Sequence, residues 1–298
     1  PDPKIPEEPY KVKPAKNVRS IPVYSRRLQL ADAITSTENQ AFQNNIVNRL
    51  WALMMGRGLV EPLDMWHSDN PPTHPEVLRL LTTGLQEQDY DLQYLIRELA
   101  LTKTYQRNSH QKADAKSTDK PDYRVGLLKP LSPEQLAWSM MQATGITERT
   151  LNGLKAKKIK DDPQKGPKLT ADARWQEEAL HDALWRNVDS FTVTFGTVGA
   201  QSSRFDASAN QALFLLNGPL IQSWLVPGGN NLTARLKKLE SEKEIAEELY
   251  LAVFSRFPDE SEITQVVEFL KVSQQETHKG IPELVWAALA SDEFRFNH

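Results

Sequence analysis

Cysteine is missing from all 298 residues. That one absence removes disulfides, thiolate zinc sites, iron–sulfur ligation, covalent haem attachment and thiol catalysis together. Long hydrophobic runs are missing as well: no stretch approaches the ~20 apolar residues a helix needs to cross a bilayer, and the opening Pro-Asp-Pro-Lys-Ile-Pro does not read as a signal peptide. Either the protein stays where it is made, or this chain is a piece of a longer exported one. Nor is there an excess of one charge, since 36 basic residues stand against 39 acidic ones for a net −3, and the pI is near 6.1. This balance argues against a general polyanion binder. No Walker spacing, dinucleotide fingerprint or Gly-x-Ser-x-Gly elbow occurs, and the six histidines are scattered at 67, 74, 110, 181, 278 and 298.

What is present is a core-forming chain, 39% apolar, long enough to bury about three quarters of its unfolded surface. Proline is concentrated at the front. Pro1, Pro3, Pro6, Pro9, Pro14 and Pro22 alternate with charged residues, so residues 1–24 read as an extended linker or wrapping arm. From Arg26 onward the dominant period is helical. Val47, Leu50 and Met54, for example, share one apolar face that ends at a C-capping Gly56. Thr73 with Glu76, Ser132 with Gln135, Ser208 with Gln211, Ser241 with Glu244 and Asp259 with Glu262 have the spacing of capping boxes.

The pattern predicts a mainly α, multi-helix globular domain over 26–298, with helices near 26–35, 40–56, 74–88, 92–102, 133–145, 171–188, 209–225, 231–239, 242–255, 260–274 and 281–290. Phe191, Val193 and Phe195 alternate with threonines, which predicts one short extended segment near 191–195. Residues 107–126 are polar, and 152–169 carry six lysines among Gly and Pro. Both read as surface loops, and the lysine run lacks the interleaved aromatics of a nucleic-acid site.

Two places could carry chemistry. Asn48, Arg49, Arg57, Asp64 and His74 cluster around the turn after the second helix. The reading favoured for them is a structural polar network in which buried amides satisfy nearby backbone and Arg57 forms ion pairs; their spacing matches no helical metal motif, so no metal site is assigned. Around the extended segment, Gly196, Gly199 and residues 201–203 could form a backbone nest with Arg204 as its charge, which makes Arg204, Asp206 and Asn217 candidate ligand-binding residues. Trp51, Trp138, Trp185, Trp224 and Trp286 fall inside apolar helical patterns, where packing is the usual role.

As an ordered set, several motifs resemble planctomycete-specific domain one, a DUF1553-type bacterial domain of unknown function. They are Asn45-Ile-Val-Asn-Arg-Leu-Trp51, Gly56-Arg-Gly-Leu-Val-Glu-Pro62, Asn70-Pro-Pro-Thr-His-Pro-Glu76, Leu131-Ser-Pro-Glu-Gln-Leu136, Gln211-Ala-Leu-Phe-Leu-Leu-Asn-Gly218, Ser255-Arg-Phe-Pro258 and the stretch from Trp286 to His298. The resemblance covers essentially all of 26–298 and supplies no catalytic residues. It implies the C-terminal part of a large exported protein, hence an extracytoplasmic location, whether periplasmic, cell-surface or secreted. It also implies that any haem belongs to an upstream domain, with no cofactor in this chain.

The expectation is a non-catalytic interaction or scaffolding module whose partner is the upstream domain or a surface protein, with no nucleic acid and no direct membrane insertion. The alternative is a module that binds or degrades polysaccharide, with its site between the 57–74 loop and the 191–207 segment.

Overall fold

Capping and apolar spacing place most helices where the sequence predicts them. The computed structural model describes residues 8–109, 123–196, 208–273 and 280–297. Among these, the chain is mainly α and divides into two compact units, 1–127 and 128–298, where the sequence reading has one domain and an arm.

In the first unit, β1 (Tyr10–Val12) pairs antiparallel with β2 (Ile21–Pro22), so residues 8–24 turn back as a small hairpin instead of running out as an arm. The helices α1 (Arg26–Ile34), α2 (Gln40–Met55), α3 (Pro75–Glu87) and α4 (Leu92–Leu101) follow. The last three pack on one another around Val47, Trp51, Leu59, Leu78, Leu85, Leu95 and Leu99. Asn39 caps α2 and Asp91 caps α4 through their side chains. Gly56 ends α2 at φ 83°, a left-handed turn that favours glycine. Thr73 is not a cap: α3 begins at His74 without a side-chain bond, because the Thr73 hydroxyl donates to Leu59 O at 3.1 Å.

The second unit contains β3 (Lys129–Pro130), α5 (Pro133–Ala143), α6 (Ile146–Asp161), α7 (Gly166–Ala171), α8 (Ala173–Phe195), α9 (Ala209–Asn217), α10 (Pro219–Leu225), α11 (Leu232–Leu236), α12 (Glu242–Phe254), α13 (Glu260–Ser273), α14 (Gly280–Ala290), α15 (Asp292–Arg295) and β4 (Phe296–Asn297). Its core gathers Met140, Met141, Val188, Phe191, Ile221, Trp224, Leu249, Val285 and Leu289. Ser132 with Gln135 and Ser208 with Gln211 form reciprocal capping boxes. Ser241 stands at an N-cap without a side-chain bond.

Three expectations are corrected here. Residues 191–195 are not extended but form the last turns of α8. Leu184, Val188, Phe191 and Phe195 recur at steps of four, three and four, and the first three are buried, so a helical stripe outcompetes the two-residue alternation. Residues 152–169 are not a loop but most of α6 and α7. Lysine is a good helix former, and Lys158 and Lys160 lie in the last turn of α6, where positive charge complements the helix dipole. The helix expected over 209–225 is two helices, since Pro219 cannot continue α9 and instead opens α10. Among the described residues no helix is long and apolar enough to cross a membrane.

The second unit closes on itself through β3 and β4, which pair antiparallel with Lys129 opposite Asn297 and Pro130 opposite Phe296. Leu131 N extends the ladder by donating to Arg295 O at 2.9 Å. This pairing holds Phe296 and Leu131 beside α5 and the end of α12.

Candidate functional site

In the first unit, Asn48 organises the turn that follows α2. It is 2% exposed. Its carboxamide pairs with the backbone of one residue in both directions: Nδ2 donates to Val60 O at 2.9 Å and Oδ1 accepts from Val60 N at 3.0 Å, while Nδ2 also donates to Leu63 O at 3.2 Å. Such a pairing satisfies buried backbone that no helix or strand serves. Gly58 lies under the same turn, where an added Cβ would sit 2.6 Å from both Leu63 Cδ2 and Val60 O. Its amide donates to Glu61 Oε1 at 2.7 Å, and its carbonyl accepts from the Tyr123 hydroxyl at 2.9 Å. Burial raises the pKa of Tyr123. Asn70 closes the far side by donating to Glu61 O and Met65 O.

Arg49 stands outside this buried part. Its Nε donates to Asn45 Oδ1 at 3.0 Å, and its Nη2 pairs with Asp64, which also accepts from Asn45 Nδ2. Thus Asn48, Arg49 and Asp64 share one turn. Arg57 takes part through its backbone, its carbonyl accepting from Tyr123 at 3.3 Å. The Asp64 carboxylate pairs with Arg49. The His74 ring lies edge-on to Tyr123 at 5.6 Å, and its Nδ1 is 3.1 Å from Thr73 Oγ1.

The second candidate group fares differently. Arg204 and Asp206 lie outside the described residues, as do 197–207 as a whole. Asn217 is the exposed last residue of α9. The 57–74 loop belongs to the first unit, whereas residues 191–195 belong to α8 in the second. Of the tryptophans expected in a core, Trp51 and Trp224 are buried. Trp185 is 49% exposed, with its ring 5.1 Å from that of His181.

Sequence reasoning missed the most elaborate polar arrangement, which is built on Arg256 just after α12. Ser255 turns the chain at φ 59°. Arg256 then places its guanidinium 5.2 Å from the Tyr250 ring centre and 5.7 Å from that of Phe254. All five of its N–H donors are used. Nε and Nη2 grip Glu293 at 2.7 and 2.8 Å, Nη1 and Nη2 grip Glu262 at 2.8 and 2.7 Å, and Nη1 also donates to Phe257 O at 3.1 Å. The double fork fits the planar guanidinium and ties α12, α13 and α15 together.

Hydrogen bonds donated to the carboxylates, first Glu262 and then Glu293, raise the pKa of Arg256, and the Arg256 hydrogen bond lowers that of Glu262. Asp259 and Glu262 complete the capping box expected at the start of α13, Glu262 N donating to Asp259 Oδ1 at 2.9 Å and Asp259 N to Glu262 Oε2 at 2.8 Å. Local spacing reveals that box; Glu293, 37 residues beyond Arg256, is out of its reach.

Beside this clamp lies a cavity of about 400 Å3, lined by Leu131, α5, the end of α12, Glu293, Phe294 and Phe296. Among the described residues no group of three or more His, Asp or Glu side chains is placed to hold a metal ion. No curated protein and no solved structure matches the chain. A family model described as "Protein of unknown function (DUF1553)", PSD1, matches residues 26–270. By that match, which spans well over half of its length, the chain belongs to the DUF1553 family.

Proposed function

We propose that this chain is a non-catalytic interaction or scaffolding module, and that its N-terminal surface docks onto an acidic, partly apolar protein surface. One observation carries the reading: α1 buries none of its nine residues. Leu28 is 62% and Leu30 61% exposed, and Val18, Ile21 and Val23 of the hairpin segment are also exposed. A helix of this length is marginal in water unless an apolar face is packed. The same stretch is basic. Residues 8–34 carry Lys11, Lys13, Lys16, Arg19, Arg26 and Arg27 against Glu8 and Asp32, a net +4 in a chain of net −3. Apolar side chains set among cations suit a partner of opposite charge with its own apolar patch.

The family resemblance supplies the setting of the proposal: an extracytoplasmic polypeptide in which the partner is the upstream domain or a surface protein, and in which any haem sits on that neighbour. The absence of cysteine from these residues is compatible with that division of labour. The test uses the upstream domain of the same polypeptide, produced separately, with association measured by calorimetry at low and moderate salt. The reading expects saturable binding that weakens with salt and falls roughly tenfold or more in L28S/L30S and in R26E/R27E. No association, or association that both double variants leave unchanged, overturns it.

A further inference from the structure

We propose that the cavity beside the Arg256 clamp is a binding site for a neutral, hydroxyl-rich ring: a sugar or cyclic polyol of about one ring. It lies within the second unit and is independent of the N-terminal surface. Its volume of about 400 Å3 falls in the ~300–1,000 Å3 range of small-molecule sites.

The lining has two kinds of surface. Phe254, Phe294 and Phe296, with Leu131 and Val253, form the apolar part, suited to the C–H face of a ring. Ser139 and Gln142 project from one side of α5, three residues apart, and Ser255 and Glu293 complete the polar part. The side chains of Ser139, Gln142 and Ser255 have no hydrogen-bond partner among the described residues. Two hydroxyls and a carboxamide are therefore free to donate and to accept.

Glu293 sets the charge preference. Each of its oxygens accepts one bond from Arg256, at 2.7 and 2.8 Å, which fixes the carboxylate and leaves a lone pair on each oxygen for a ligand hydroxyl. Arg256 has no N–H left over, so it offers an anion no hydrogen bond. With Glu262 and Asp259 nearby, the group holds one positive charge against three negative ones. An anionic ring is repelled, while a neutral polyol meets hydrogen-bonding groups and an apolar wall.

The test measures binding of glucose, galactose, mannose, N-acetylglucosamine and cellobiose, with glucuronate as the anionic comparison, by saturation-transfer NMR and calorimetry on the full chain. Ser139→Ala and Gln142→Ala are the reporting variants. Both substitutions suit a helix and break no side-chain hydrogen bond among the described residues, so circular dichroism and the melting temperature should stay at wild-type values. The expected result is saturable binding of at least one neutral sugar, weakened roughly tenfold or more by the double variant, with glucuronate weaker still. Absence of saturable binding by all the neutral sugars, binding indifferent to both substitutions, or glucuronate bound as tightly as its neutral counterpart overturns the proposal.

Discussion

The first unit fastens its irregular turn around a buried, neutral carboxamide, whereas the second fastens the end of α12 around a charged guanidinium. Asn48 is buried and replaces missing backbone partners one for one. Its work is to avoid the penalty of unpaired peptide groups, and that penalty is the same at any pH or salt concentration. Arg256 is 39% exposed in its side chain, and its two carboxylate partners are 19% and 34% exposed. Solvent screens it, but the double fork gives a fixed geometry and links three helices through one residue. The first arrangement makes a local turn rigid, and the second joins elements distant in sequence and leaves a cavity beside the joint.

Substitutions can sharpen or break this contrast. The largest effect belongs to the second unit's core. Phe191 is fully buried against Phe195, Phe214 and Trp224, with ring centres 5.7, 5.1 and 6.0 Å away, so Phe191→Ala should cost about 3–5 kcal/mol in urea unfolding. Amide exchange should then accelerate in α8 and α10.

Next comes Asn48→Ala, expected to cost roughly 2–4 kcal/mol because the Val60 amide and carbonyl lose their partner together. Its exchange signature should centre on residues 56–65 and be insensitive to salt. Marked salt dependence there would break the contrast.

Arg256→Met should cost about 1–2 kcal/mol at neutral pH, discounted for exposure. The pH dependence follows from Glu262, whose pKa is lowered from its ordinary 4.5. A carboxylate favoured in the folded state contributes fully above the unfolded pKa, and that contribution is lost as pH falls through the lower, folded value. The wild type should therefore exceed Arg256→Met in stability at neutral pH, and the gap should narrow on acidification below about pH 4.5. Smallest of all, Leu30→Ser in α1 should change stability by less than about 0.5 kcal/mol, since the residue it replaces is exposed. A larger loss would mean that α1 is packed in solution.

Helix positions were legible where a cap and an apolar stripe agree, as at Ser132 with Leu136 and Met140 and at Ser208 with Leu215. The Phe191 segment misled because alternation over five residues is also compatible with a helix whose buried stripe began at Leu184, seven residues earlier. The lysines of α6 misled for a related reason: a helix with only Ile146 buried has little apolar signature to read. The Asn48 turn was visible because asparagines are costly inside a helix unless their amides have work to do. Arg256 and Glu293 were not visible as a pair, since nothing local to either one encodes a contact across 37 residues.

The contrast between the units rests most directly on how each responds to acid. Amide exchange, corrected for its intrinsic pH dependence, should be followed in α2 and in α12 and α13 from neutral pH to about pH 3.5, below the ordinary carboxylate range. Protection in α12 and α13 should fall first, and Arg256→Met should remove most of the pH dependence there while α2 keeps its protection. Parallel loss in both units, or acid-sensitive exchange in α12 and α13 that survives Arg256→Met, would contradict the contrast.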